Sequence, residues 1–323
     1  MKVNFLAAMH NAIAFFRTPA SPVSFITLRL GIALALLVRA LVEFDILLDL
    51  YGNNGLIPWG ISEFRPIGWL PNMSWASYHL SHLGIGEDGS VYLIFTIYVI
   101  ALLGMLVGFR TRIFSIVAWL THLILFESAS FSSYGVDSFI NIALFYCVIM
   151  PKGATVPLHR LFSRWDFEQT VIAGTLLRLI QIHMCVVYLT SGIEKARGEQ
   201  WWNGEAIWRS VMQPQFYVFD MSWLADFPFL ATTLSLVTLA LEIGYTFLIW
   251  PRRTRHFCLA AIVSMHMGIV MILGLHFFGV ILIILNLAAF GSGVIESANL
   301  RVSRLLFTHR GMASNPIARS ATE

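Results

Sequence analysis

The sequence predicts an all-α protein, a polytopic integral membrane helix bundle of about eight transmembrane segments, and three observations carry that expectation. Hydrophobic residues make up 57% of the 323 and charged residues only 12%, about half the charged share of an ordinary soluble domain. A soluble fold of this size must cover its surface with polar groups, and this chain has too few. The stretch from Gly89 to Phe109 holds no charged residue and matches the roughly 20 residues a helix needs to cross hydrocarbon. From His256 to Ile295 there is no Asp, Glu, Lys or Arg. That run is too long for one crossing and suits two, broken near Gly274 and Gly279.

Residues 1–23 read as a short amphipathic helix lying on the membrane, with Phe5, Leu6, Met9, Ile13 and Phe16 on one side. His10 and Asn11 interrupt its apolar core and no small-residue cleavage site follows, which argues against a signal peptide. Residues 24–292 form the transmembrane domain. Its segments run roughly Phe25–Leu48, Val91–Phe109, Ile113–Phe126, Val136–Met150, Val171–Gly192, Phe229–Trp250, Phe257–Leu273 and Phe277–Phe290. The third and fourth are short enough to be tilted or re-entrant. Residues 293–323 form a basic, polar tail.

Lysines and arginines set the expected topology. Fourteen fall on one side: Lys2, Arg17, Arg110, Arg112, Lys152, Arg160, Arg164, Arg252, Arg253, Arg255, Arg301, Arg304, Arg310 and Arg319. Four fall on the other, Arg65, Lys195, Arg197 and Arg209, and three lie within segments. Both termini are therefore expected in the cytoplasm, with the bundle in the inner or plasma membrane and lipid as its constant partner. Two non-cytoplasmic loops are long. One spans 51–90 with Trp69, Trp75, His79 and His82, and the other spans 193–228 with Lys195 and the sequence WWNGEAIW.

Cys147, Cys185 and Cys258 sit in apolar segments without a C-x-x-C pair, so neither a disulfide framework nor a thiol metal site is indicated. The sequence contains no phosphate loop, no H-E-x-x-H and no G-x-S-x-G. The basic residues flank membrane segments rather than forming a nucleic-acid patch.

Charges inside segments are costly and mark sites by default. Arg29, Arg39, Glu43 and Asp45 lie in the first, and Arg39 and Glu43, four apart, share a face and can neutralise each other. The fifth holds Arg178 and His183 and ends at YLTSGIEKARG, where Tyr188, Ser191 or Gly192, and Lys195 recur at helical spacing. Lys195 can equally be an interfacial lysine that snorkels to water, and Glu194 can pair with a nearby cation. Glu242, in the sixth, has no charged residue at helical spacing, so its partner comes from another helix or it is protonated. His266 and His276, ten apart, do not define a metal site.

The chain resembles the horizontally transferred transmembrane (HTTM) family, whose membrane module is shared with vitamin K-dependent γ-glutamyl carboxylase. FFRTPASPVSFITLRLGIAL is similar to the family's opening, LYGNNGLIPW to its first-loop turn, and LLGMLVGFRTR to its Gly-Phe-Arg-Thr step. The most specific stretch is VYLTSGIEKARGEQWWNGEAI, residues 187–207, where Tyr188, Gly192, Lys195 and Gly204 fit the pattern with Trp201 or Trp202 as its tryptophan. LEIGYTFLIWPRRTR and SMHMGIVMILGLHFF resemble the blocks that follow.

The resemblance implies a carboxylase- or epoxidase-like enzyme that uses a reduced, vitamin K-like hydroquinone with oxygen and carbon dioxide, and no metal. Lys195 would be the base that deprotonates the hydroquinone, with His266 as hydrogen-bonding partner and Glu242 as orienter. Tyr188, His183 and Trp202 would bind the cofactor, and a peptide or protein would be the substrate. The chain departs from the carboxylase in two respects: it lacks the large domain that grips the propeptide, and SFSSYGVDSF carries Asp137 where the carboxylase has a functional histidine. Two other functions fit the sequence: a non-catalytic membrane factor for peptide maturation, export or immunity, and a quinone-linked redox partner resembling DoxX-type proteins.

Overall fold

Pro and Gly punctuate the apolar runs, and the helices of the computed structural model start and stop at them. The structure describes residues 2–62, 70–129, 134–157, 167–216 and 218–297, with side chains from residue 7 onward and residue 62 as backbone only. The side chains of Phe5 and Leu6, together with Arg65, Trp69, Arg160, Arg164 and the tail arginines, lie outside the described residues.

In chain order the helices are α1 (Lys2–Arg17), α2 (Val23–Glu43), α3 (Leu47–Tyr51), α4 (Trp59–Ser62), α5 (Met73–Ser81), α6 (Glu87–Val107) and α7 (Thr111–Ser128). They continue as α8 (Gly135–Ile149), α9 (Val171–Ala196), α10 (Glu199–Trp202), α11 (Glu205–Met212), α12 (Pro228–Leu248), α13 (Arg252–Leu273) and α14 (His276–Phe290). Among the described residues the only β pairing is an isolated bridge between Ala20 and Thr170.

Five stretches are long and apolar enough to cross a membrane: Val23–Tyr51, Glu87–Val107, Val171–Ala196, Pro228–Leu248 and Arg252–Leu273. Helices α8 and α14 are apolar but shorter, and α7 carries Arg112, His122 and Glu127. Every apolar segment read from the sequence falls in a helix. The chain is thus an all-helical protein of the integral membrane type.

Its exposed surface is apolar where a soluble protein's would be polar. Leu41 is 77% exposed and Phe257 78%, with Val38, Ile100, Val186, Val237 and Met271 also bare. In water such a surface would drive aggregation; in lipid it costs nothing, and the helices satisfy their own backbone groups.

Two groups of helices make the bundle. In one, α2 packs on α6 and α8, and α7 on both α6 and α8; in the other, α9 packs on α12, and α13 on α12 and α14. The short helix α14 joins them by lying against α2, α8 and α9. Its buried side is apolar apart from Asn286. Helices α10 and α11, with Leu224, form a cap over the ends of α12 and α13, where Val211 and Ala231 pack with Trp208, Ile272 and Leu273.

Helix α1 is tied to α9 through the Thr175 hydroxyl, which donates to the Phe16 carbonyl at 2.9 Å, and Phe15 packs edge-on against Trp250. Met9, Ile13 and Phe16 remain exposed, as a stripe resting on a membrane requires.

Two expectations are corrected. The first segment does not run straight to Leu48: α2 stops at Glu43, a 3-10 turn covers Phe44–Ile46, and α3 completes it. The break in the last apolar run lies at Gly274 and Leu275, whereas Gly279 sits inside α14.

One turn depends on glycine. Gly108, at the end of α6, has φ +84°, and a Cβ there would lie 2.5 Å from the Val156 carbonyl and 2.7 Å from Arg29 Nη1. Fully buried Arg29 donates to that same carbonyl at 2.9 Å. Gly108→Ala is therefore expected to destabilise the fold by more than about 1 kcal/mol. Gly268→Ala, with nothing within 4 Å of the new methyl, should leave stability unchanged or raise it. Unfolding midpoints of the two variants in mixed micelles check this pair.

Candidate functional site

The site lies where α9, α12, α13 and α14 meet. Helix α9 starts at Thr170, whose side chain accepts from the Ala173 amide, and runs unbroken to Ala196. Tyr188, Gly192 and Lys195 therefore stay on one face for two turns. Gly192 is there for closeness: a Cβ would lie 2.7 Å from Ile243 Cγ1 and 3.2 Å from Glu242 Cβ. Small residues allow two membrane helices to approach in this way, and the approach puts Glu242 within reach of Lys195.

Lys195 Nζ donates to both Glu242 oxygens, at 2.8 and 3.0 Å, and to Ser191 Oγ. The cation also lies 5.4 Å from the Trp201 ring centre, where the ring quadrupole favours positive charge. Glu242 is buried, and the Lys195 side chain is 24% exposed. The lysine is partly exposed and paired. The partner that Glu242 lacks on its own helix comes from α9.

One layer deeper, Tyr188 shares a 2.8 Å hydrogen bond with His266 Nε2. Asn286 Nδ2 donates to the Tyr188 hydroxyl at 2.6 Å and to the Leu282 carbonyl at 2.8 Å, and Tyr245 donates to Asn286 Oδ1 at 2.8 Å. The Leu282 carbonyl can only accept, which fixes the orientation of the Asn286 amide. Tyr188 accepts from that amide, and among the described residues His266 Nε2 is the acceptor open to its proton; that assignment puts the histidine proton on Nδ1. That Nδ1 is buried and has no partner among the described residues.

Lys195 with Glu242 and Tyr188 with His266 thus form two hydrogen-bonded groups two turns apart on α9, while two residues expected to bind a cofactor lie outside both. Trp202 is 56% exposed, and its indole nitrogen donates to the Ala196 carbonyl. Its neighbour Trp201 faces Lys195 instead, because successive residues of α10 point in different directions.

His183 is twelve residues before Lys195 on α9, about 18 Å along the axis. Its Nδ1 meets the Tyr146 hydroxyl at 3.1 Å. There it lines an opening of about 640 Å³ with Trp119, Asn141 and Phe145. Asn141 Oδ1 is buried without a partner among the described residues. A smaller hollow behind, bounded by Phe139 and Val187, shares Tyr146 and His183. Phe278 stands between this hollow and the network, with its ring in contact with those of Phe139 and His266.

Sequence reading missed Asn286 and Tyr245 as members, and placed Ser191 on the face of Lys195 only as an alternative to Gly192. Asn286 was visible as the lone amide in HFFGVILIILNLAAF. Asp137 belongs to another cluster. It pairs with Arg39, which also binds Glu43 as the helical spacing predicted, and Tyr51 donates to Glu43 at 3.0 Å. His122 lies near this cluster, 3.4 Å from the Tyr98 hydroxyl. Glu194 pairs with Arg197 at the exposed end of α9. Among the described residues no cluster of His, Cys, Asp or Glu could hold a metal ion.

Fold and site together define an integral membrane bundle with a buried lysine–carboxylate pair set against a tyrosine–histidine–asparagine network. Compared with models of known families, with curated proteins and with solved structures, the chain matches none.

Removing one member of a buried ion pair strands the other charge at about 3–5 kcal/mol, and partial exposure of Lys195 reduces this. Glu242→Met and Lys195→Met are each expected to cost about 1–3 kcal/mol. The double variant Lys195→Met/Glu242→Met should recover much of the loss. A double-mutant cycle on unfolding free energies measures the coupling, and additive effects would show that the pair does not act as a unit.

Proposed function

We propose that this chain is an HTTM-family membrane enzyme with about eight crossings, in which Lys195 takes a proton from a lipophilic hydroquinone. The observation that carries this reading is that three helices bring together two hydrogen-bonded pairs, Lys195 with Glu242 and Tyr188 with His266, two turns apart on α9. Acid–base chemistry needs a group that holds a proton beside one that can receive it. Two charged residues kept within the apolar part of a bundle are costly unless they serve such a purpose.

Each residue has a part that follows from its contacts. For Lys195 to act as base, its amine must be free of its extra proton. Glu242, 2.8 Å away, can hold that proton. A pair sharing one proton in a low-dielectric site need not stay ionised. Ser191 and Trp201 keep Nζ in place. His266, fixed through Nε2 by Tyr188, presents Nδ1–H as a donor to an oxygen. Asn286 and Tyr245 hold Tyr188 so that the donor cannot change tautomer.

The chain's residues fit a quinone-type ring. The opening beside His183 is walled by aromatic and aliphatic side chains, with Asn141, Tyr146 and His183 as its few polar groups, the usual composition of a small-molecule pocket. When bound, a hydroquinone would supply reducing equivalents and, on reaction with oxygen, a base strong enough to allow carboxylation. Phe278 would have to turn aside for the ring to reach His266, and the ring would then have to pass on along α9 to reach Lys195, about 18 Å from His183.

A second reading, a non-catalytic factor for peptide maturation or export, draws support from the exposed aromatic residues of the cap, Trp202, Phe219, Trp223 and Phe227. It assigns the sensitive positions to those rings rather than to Lys195.

The test is epoxide formation by protein in lipid nanodiscs supplied with reduced naphthoquinone and oxygen. Wild type is expected to form epoxide, and Lys195→Ala to lose about 10²-fold or more, the contribution of a positioned base. Lack of epoxide from folded wild type supplied with a glutamate-containing peptide would reject the enzyme reading. With about eight crossings and both termini cytoplasmic, Trp223→Cys and Arg253→Cys should react with a membrane-impermeant maleimide from opposite sides. Labelling from the same side would overturn that arrangement.

A further inference from the structure

The opposite end of the second helix group, where α12 ends, α13 begins and α14 ends, holds a cavity of about 610 Å³. Arg252, Arg255 and His256 line it from α13, Gln181 from α9, and Phe290, Ser292 and Val294 from the chain leaving α14. The function proposed above makes no use of it.

The cavity has unspent positive charge. Arg255 directs Nε and Nη2 to the carbonyls of Ile249 and Trp250, at 3.1 and 2.7 Å, which leaves Nη1 over. Behind the lining, Arg178 bonds Gln181 Oε1 at 2.6 Å, while its Nε is buried without a partner among the described residues. Among the described residues no carboxylate pairs with Arg178, Arg252 or Arg255. Glu296 belongs to the neighbouring segment but does not line the cavity.

Helix polarity adds to this. The amides of Thr254 and Arg255 bond the Pro251 carbonyl, whereas those of Arg252 and Arg253 precede any intrahelical acceptor. The start of a 22-residue helix therefore brings its positive dipole end beside the same residues. Flanking arginines at a membrane surface ordinarily point to water. These border a cavity that also has an apolar wall, Phe290 and Val294.

We propose that this cavity binds a phosphate-bearing anionic group, held by Arg252, Arg255 and His256 at the start of α13. Arginine forks and helix amino ends both suit phosphate oxygens. The apolar wall gives room for the glycerol and first chain carbons of a lipid. A soluble phosphate compound presents the same oxygens, so the experiment must separate the two sources. The inference is independent of the chemistry at Lys195.

Binding is measured on lipid-depleted protein in neutral detergent, by native mass spectrometry and by the shift in unfolding midpoint. The probes are dioctanoyl phosphatidic acid, dioctanoyl phosphatidylcholine and inorganic phosphate. Arg252→Glu is expected to weaken phosphatidic acid binding about tenfold or more, the loss of one charge-assisted contact. Arg253→Glu makes the same charge change just outside the lining and should weaken it less than about twofold, as for a screened surface charge. The unliganded unfolding midpoint of each variant, matched to wild type, shows that the fold is retained.

Saturable binding of phosphatidic acid but not inorganic phosphate assigns the site to a lipid headgroup. Binding of inorganic phosphate with the same dependence on Arg252 assigns it to a soluble phosphate compound. Equal weakening by both variants, equal affinity for phosphatidylcholine, or no saturable binding of either anion overturns the proposal.

Discussion

A charged amine held against a carboxylate inside an apolar bundle constrains the structure around it. Lys195 and Glu242 come from α9 and α12, and the pair forms only because Gly192 lets the two backbones approach. Hydrocarbon offers no water to complete an unmet hydrogen bond, so each polar group must find a partner within the protein. Ser191 completes the lysine, and the indole of Trp201 bounds it on the side of the cap. The loop that carries Trp201 must then fold back over α12, where Thr232 receives it by donating to the Asn203 carbonyl. Helix spacing, cap position and cap orientation thus follow from the same pair.

The same rule governs the inner layer. Asn286 would be an unpartnered amide in a buried apolar helix, yet the Tyr188 and Tyr245 hydroxyls and the Leu282 carbonyl together use its donors and acceptor. A fully satisfied network of this kind rigidifies what it connects. Among the described residues, His266 Nδ1 beside this network and the Asn141 oxygen in the aromatic opening are left without a partner. Both are places where a bound molecule would complete what the protein leaves open. Phe278, lying between them, ties the two regions into one candidate route.

Charge is arranged in three separate centres along the bundle. Arg39 with Glu43 and Asp137 joins α2 to α8 and is internally neutralised to within one unit. Lys195 with Glu242 is balanced. The arginines at the start of α13 have no such compensation among the described residues, and they border an open volume rather than a packed interface. The first arrangement serves packing and the second serves acid–base work on the proposal above. The third is left to attract an anion.

Most of the fold was legible in the sequence. Uncharged apolar runs can only be helices in lipid, because a helix alone satisfies its own backbone; hence each segment from Phe25 to Phe290 proved helical. Local spacing also found Arg39 with Glu43, and the shared face of Tyr188 and Lys195, since both rest on helical periodicity. Spacing along one helix says nothing about its neighbours. The partner of Glu242, the place of Asn286 and Tyr245 between Tyr188 and the backbone, and the choice of Trp201 over Trp202 all depend on how four helices pack. The separation of His183 from Lys195 follows from helix rise, but its pairing with Tyr146 required α8 to lie against α9. Those relations are long-range, and only the tertiary structure could decide them.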